Sequence, residues 1–241
     1  MPLTVVVAAL GEELAPLAER LVGRRRVTGG RCEEGRLGRW PVRLVWTGTG
    51  GANARTGLRR LLAERGVRDR RLVLAGIAGG LDPALTLGDV VHLERALKIE
   101  GDGAPEERPI VVSGHRGRAG VTVTVDRIVA SAAEKRALWE RLGCPPSAVV
   151  DMETFHWLAE LDANAPVSVL RVVSDPAGTS LPAFLARSIG AGGEVSRWKV
   201  AARALPRPDR IAALLRLRRD VRCAAERLAD ALEVVVREAG S

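Results

Sequence analysis

The sequence predicts one α/β domain, on three observations. Unbroken apolar runs of strand length alternate with amphipathic stretches of helical period. Several of those runs end in glycine-rich or acidic turns, and α/β sheets hold ligands outside such strand ends. A length of 241 residues with 46% hydrophobic content is enough for one full core. No internal repeat or linker breaks the pattern. Residues 1–241 therefore read as one domain, with 181–241 as an extended C-terminal helical segment.

The elements follow in chain order. "LTVVVAAL" is a buried strand by its continuous apolar run, and "GEELAPLAERLVG" a helix closed by Gly23. "GRWPVRLVWTGTGG" is a strand running into a glycine turn. "ANARTGLRRLLAERG" is a helix with Gly66 in the C-cap role. "RLVLAGIAGGL" is a strand followed by a glycine loop, "GDVVHLERALKIE" is strand-rich, and "GDGAPEERP" is an exposed loop. "GVTVTVDRIV" is a strand, and "SAAEKRALWERLG" a helix whose Ser131 and Glu134 fit a capping box. "AVVDMETFHWLAE" is a strand leading into a helix from about Glu153, and "PVSVLRVVSD" is the last strand. A long amphipathic helix closes the chain, with Ile211, Leu214, Leu215, Val221, Ala225, Leu228 and Leu232 near one face.

Composition excludes several classes. No apolar run reaches the roughly 18 residues that a membrane-spanning helix needs. The N-terminus reads as a first strand rather than a signal peptide. Cys32, Cys144 and Cys223 are too few and scattered for a disulfide framework, which suits a reduced cytoplasmic compartment. His92, His115 and His156 have no metal spacing, so neither metal nor other cofactor is expected. The net charge is +8, carried almost wholly by Arg. Few aromatics and no reader motif argue against nucleic acid, while the basic surface leaves contact with the inner face of an anionic membrane open.

Five segments carry candidate chemistry, each with a plainer alternative. Glu12 and Glu13 open a helix, where acids also complement the helix dipole. Gly48, Gly50 and Gly51 let backbone amides approach a ligand, or form a tight turn before Asn53. Gly76, Gly79 and Gly80 clear space around Ile77 and Ala78, for a flat ring or for close packing. Asp151 and Glu153 end an apolar run, a costly place for two acids. Ser174 and Asp175 end the last strand, where Asp175 is a general acid or a turn former before Pro176.

Together these segments resemble one family. "AALGEEL", "TGTGGANA", "AGIAGGLDPALTLGDVV", "VVDMET" and "VLRVVSD" follow the order and spacing of the nucleoside phosphorylase and nucleosidase superfamily, which includes methylthioadenosine/S-adenosylhomocysteine nucleosidase. The likeness runs from Val5 to Asp175. It implies a three-layer α/β/α sandwich of the phosphorylase/hydrolase type with a mixed central sheet. It also implies a small-molecule purine nucleoside as substrate and a homodimer or larger assembly. By the same resemblance Asp175 protonates purine N7, oriented by Ser174, and Glu153 binds the ribose hydroxyls beside Met152. Glu13 handles the attacking water, with Glu12 one residue away as the other register. Ile128 and Val129 flank the base, and Arg171 supports the site from within its strand.

A narrower likeness is to hopanoid-associated phosphorylases, assigned as adenosylhopane nucleosidases. It rests on "VTVDRIVASAAEKRAL", on Asp151 before Met152, on "SDPAGTSLP" and on "RPDRIAALLRLRRD". It implies release of adenine from a lipid-linked nucleoside. Leu181, Phe184, Leu185 and Ile189 would wall a bulky 5′ group, and the Arg-rich helix would rest on a membrane or simply be solvated. Two departures bear on the reaction. Ile77 stands where relatives often carry Ser or Thr, and the phosphate-binding Gly-Asp-Pro and Arg pattern is missing. Both favour hydrolysis over phosphorolysis. Ile128 is aliphatic where an aromatic often stacks on adenine. Methylthioadenosine/S-adenosylhomocysteine nucleosidase, futalosine hydrolase, purine nucleoside phosphorylase and a nucleoside-binding protein without turnover remain the alternatives.

Overall fold

The architecture was taken from a computed structural model of the chain. It describes residues 3–27, 31–64, 66–67, 70–100, 103–112, 117–182 and 208–238. Phe184, Leu185 and Ile189 lie outside the described residues.

Ten strands and five helices follow one another as β1 (Thr4–Ala8), α1 (Gly11–Glu19), β2 (Val22–Arg26), β3 (Cys32–Leu37), β4 (Trp40–Trp46), α2 (Gly51–Ala63), β5 (Arg71–Gly80), β6 (Val90–Lys98), β7 (Glu106–Pro109), β8 (Arg118–Thr124), α3 (Ala132–Arg141), β9 (Ala148–Asp151), α4 (Thr154–Leu158), β10 (Ser168–Asp175) and α5 (Pro208–Glu238). The counts refer to the described residues.

All strands join one mixed sheet. β1 lies between β4 and β5, parallel to both, and β10 runs parallel to β5. The half beyond β5 closes on itself. β5 pairs with β9, β9 with β8, β8 with β6, β6 with β10, and β10 again with β5. Closure removes the free edges that an open sheet exposes there. Every residue of β10 is buried, as a strand covered on both faces must be.

Helices cover both faces of the sheet. Leu14 and Leu17 of α1 share a core with Leu228, Leu232 and Val236 of α5 under β1 and β5. On the opposite face, Leu58 and Leu61 of α2 pack with Phe155 and Trp157 of α4. A third cluster sets Leu138 and Trp139 of α3 against Val121 and Val150 of the closed half. This is the α/β/α arrangement with a mixed sheet that the sequence resemblance implies. The capping box of α3 is present: Ser131 Oγ accepts from Glu134 N at 3.1 Å and Glu134 Oε2 accepts from Ser131 N at 3.2 Å.

Four expectations need correction. Gly23 does not close α1; it lies within β2 at φ +66, and the helix stops at Glu19. The arginine-rich segment has no apolar alternation to announce a strand, and β2 is exposed along its whole length. Gly66 does not cap α2, which ends at Ala63 with Glu64 as C-cap; Gly66 follows in a turn at φ +75. Glu106–Pro109 is an edge strand against β6 rather than a loop. The glycines after Ala75 form no loop, since β5 continues through Gly80. The helix α5 forms as expected, but its apolar face is buried only from Ala224 onward, while Ile211 and Leu215 are 42% and 61% exposed.

Candidate active site

The C-terminal ends of β1, β4, β9 and β10 meet at a cavity of about 300 Å³ together with the end of β5. Glu13, Ile77, Ala78, Gly79, Ile128, Val129, Met152, Glu153, Ser174 and Asp175 all line it. Arg171 does not; it is 1% exposed beneath the cavity.

Glu13 enters from the first turn of α1. Its Oε2 accepts from Leu10 N at 2.8 Å and its Oε1 from Ile77 N at 3.0 Å. Burial pushes its pKa up, partly offset by the backbone donors of Ile77, Leu10 and Ala9 and by the Arg171 charge. Glu12, the other register, is exposed on the outer side of the helix. Gly76 explains itself here. A Cβ on it would stand 3.0 Å from Glu13 Oε1 and 3.4 Å from Arg171 Nη1, so the strand must be bare for the carboxylate to fit.

Glu153 enters just after β9, as the N-cap of α4. Its Oε1 accepts from Gly50 N at 2.7 Å, and Gly50 holds φ +81 to aim that amide. Burial first, then the neighbouring Asp151 charge, raise the Glu153 pKa to about 8. Asp151 serves differently. It accepts from Arg171 Nε at 2.9 Å, from Thr124 Oγ1 at 2.7 Å and from the Thr154 hydroxyl, and the two ionic side chains are each 1% exposed. Arg171 Nη2 in turn donates to Thr154 Oγ1 at 2.5 Å.

Ser174 and Asp175 are consecutive in a strand, so strict alternation would send them to opposite faces. The register slips between Val173 and Asp175: Val173 pairs with Ala78 while Asp175 pairs with Gly79. That bulge lets both side chains line one cavity. Ser174 Oγ donates to Asp175 Oδ1 at 2.6 Å. A Cβ on Gly79 would stand 3.2 Å from Asp175 Oδ2 and 3.1 Å from Val150 Cγ1, so this glycine too makes room for a carboxylate.

Most of the remaining wall is apolar, from Leu10, Val125, Ile128, Val129, Leu181, Leu217 and Val221, while Thr49, Arg127 and Asp151 also line it. Leu217 and Val221 come from α5, one helical turn apart. Leu181 is tied back through its N–H to Ala130 O at 2.7 Å.

Sequence reasoning missed Lys135 of α3. It is 0% exposed, and its Nζ donates to Asp175 Oδ2 at 2.5 Å. The available signal was composition: Lys and Arg together number 37, and only Lys98, Lys135 and Lys199 are lysines. Leu217 and Val221 had no signal beyond an apolar stripe. Among the described residues no group of side chains is arranged to hold a metal ion, and no helix is long and apolar enough to cross a membrane.

Known proteins resemble the chain in sequence and in fold. The chain is 36% identical over 111 residues to the 5′-methylthioadenosine/S-adenosylhomocysteine nucleosidase of Mycobacterium bovis. That match covers 45% of this chain and 43% of the relative, so the chain spans less than half the length of the curated relatives it matches. Solved structures are similar over nearly the whole chain. The Colwellia psychrerythraea methylthioadenosine/S-adenosylhomocysteine nucleosidase, in complex with adenine, superposes with TM-score 0.69 at 18% identity, covering 98% of this chain and 95% of that one. The futalosine hydrolase of Helicobacter pylori gives TM-score 0.68 at 15% identity, covering 98% of each. At such identities the structures establish the fold. The family model described as Phosphorylase superfamily matches residues 4–204, and with most of its length matched the chain belongs to that superfamily.

Proposed function

We propose that the protein is a purine nucleosidase that cleaves the N-glycosidic bond of a 5′-substituted adenosine. The observation that carries this is the convergence of Glu13, Glu153 and Asp175 on one small cavity with a largely apolar wall. Glycoside cleavage needs an acid at the leaving base, anionic groups near the ribose as it gains oxocarbenium character, and a base for water. In this reading the Asp175 carboxyl O–H breaks and N7–H forms as the C1′–N9 electron pair passes to the purine. Water adds to C1′ and gives its proton to Glu13. Glu153 accepts from the ribose hydroxyls beside Met152, while Ile128 and Val129 flank the base.

Hydrolysis is favoured over phosphorolysis because the Ile77 side chain offers no donor and the Gly-Asp-Pro and Arg pattern that binds phosphate is missing. One observation favours the alternative: Arg24, Arg26 and Arg31 line an adjoining groove that shares Ala9, Leu10 and Thr49 with the cavity. Product analysis with and without phosphate separates the two, as free ribosyl compound or its 1-phosphate.

The favoured substrate carries a long apolar 5′ group, as adenosylhopane does. Leu214, Leu217 and Val221 fall on one face of α5, and exposed Ile211 and Leu215 continue the apolar surface away from the cavity. The basic residues of that helix suit an anionic membrane surface. Site completion by a second copy in a homodimer belongs to the same reading. Purified protein incubated with adenosylhopane, short 5′-alkyl adenosines, methylthioadenosine and futalosine tests it by mass spectrometry. Adenine release, fastest from the long apolar 5′ groups, is expected. Faster cleavage of methylthioadenosine or futalosine overturns the lipid preference, and no base release from any of them overturns the nucleosidase.

A further inference from the structure

Two cations are fully buried among the described residues: Arg171 bonds Asp151, whose side chain is 1% exposed, and Lys135 bonds Asp175, whose side chain is 10% exposed at the cavity. The Lys135 ammonium makes four contacts: Asp175 Oδ2 at 2.5 Å, Asp175 O at 3.0 Å, Pro176 O at 3.0 Å and Thr179 O at 3.1 Å. It reaches none of the cavity surface itself and is 0% exposed. A lysine placed there only to fill the interior would be a poor choice, because burying an ammonium costs several kcal/mol.

We propose that Lys135 is the positioning residue of the general acid Asp175; this rests on the reading of Asp175 as the group that protonates purine N7. With Oδ2 and the main-chain carbonyl of Asp175 both held by one ammonium, neither side-chain torsion of the aspartate is free. Oδ1 remains for proton exchange with the base, with Ser174 Oγ beside it at 2.6 Å. When the proton leaves for N7, the carboxylate charge that appears already has its counter-ion in place, with no solvent to reorganise. The same ammonium pins the carbonyls of Pro176 and Thr179, fixing the turn that delivers Leu181 to the apolar wall. Four oxygens around one point suit the compact ammonium and not a planar guanidinium fork. This accounts for a lysine in a chain whose cations are otherwise almost all Arg.

The test uses two substrates and two ligands. Lys135→Met keeps length and removes the charge. For methylthioadenosine, kcat should fall about 100-fold or more, the range of a misplaced general acid, with KM little changed. A riboside with a 4-nitrophenolate leaving group departs without protonation, so its cleavage should be nearly unaffected. Equal losses on both substrates mean a general structural role and overturn the proposal. Calorimetry supplies a readout that needs no turnover. Wild type should bind adenine more tightly than 7-deazaadenine, which lacks N7, and Lys135→Met should lose that difference while its affinity for 7-deazaadenine stays. Preserved discrimination overturns the proposal. Should Lys135→Met fail to fold, Lys135→Arg takes its place with the same expected pattern. A wild type that releases no base but discriminates at N7 through Lys135 sinks the nucleosidase reading alone.

Discussion

Two buried ion pairs share strand β10, and they are built to opposite ends. Arg171–Asp151 is closed: both side chains are 1% exposed, and the Asp151 oxygens are taken by Arg171, Thr124, Thr154 and backbone amides. Lys135–Asp175 is open on one side. The lysine is sealed at 0%, but the Asp175 side chain is 10% exposed, toward the cavity. A closed pair can only hold parts together. An open pair keeps one oxygen for exchange with a ligand. The difference sets apart the two aspartates at the ends of β9 and β10, strands that both pair with β5.

Breaking the closed pair should have the largest effect on stability. Arg171→Met leaves Asp151 buried without a cation, and should cost about 3–5 kcal/mol in urea unfolding. Lys135→Met should cost less, because the stranded Asp175 can be hydrated from the cavity. Equal costs would erase the distinction between the pairs.

Glu153 sharpens the comparison as a buried carboxylate with no cation bonded to it. Its pKa is raised to about 8, so the folded protein holds this proton more tightly than the unfolded chain does. The stability from this group is therefore full below the ordinary Glu range near 4.5, and is lost as pH rises through about 8. Glu153→Gln should be the more stable protein above pH 8 by a few kcal/mol, and the gap should close near pH 5. Thermal unfolding at the two pH values measures it. The same substitution should impair turnover far more than Asp151→Asn does, as befits a cavity group against a brace.

Leu217 and Val221 of α5 wall the open side of the cavity. Leu217→Ala should raise KM for long 5′-alkyl adenosines about tenfold, on the order of one buried side chain's apolar area, and leave methylthioadenosine nearly unchanged. Steady-state assays of both decide it. Least affected should be Arg20→Ala. Arg20 bridges α1 to α5 through Asp230 at 2.7 Å and Glu233 at 3.0 Å, but at the surface, so less than about 1 kcal/mol is expected in the same urea titration.

How much of this the sequence carried depends on the physical scale of each signal. Buried strands such as "TVVVA" and "SVLRVVSD" were legible because an apolar run reports burial on both faces. The edge strands β2 and β7 were not, since exposed Arg and Glu carry no alternation and their pairing is set by neighbours. Glu13, Glu153 and Asp175 stood out as acids at apolar strand ends. Whether Glu12 or Glu13 faces the cavity was settled only by the helix's packing. The β10 bulge that turns Ser174 and Asp175 to one side leaves no mark in composition. Lys135 sits in a helix whose charges Arg136, Glu140 and Arg141 are exposed, and only its distance from Asp175 in space gives it meaning.

The position of α5 has a consequence for how the protein comes to be made. The cavity takes Leu10 and Glu13 from near the start of the sequence and Leu217 and Val221 from near its end. During synthesis on a ribosome the acidic groups can therefore assemble while their cleft is still open to water. The wall that Leu217 and Val221 supply follows those groups in the chain, so the cleft is closed on that side only once α5 has been made.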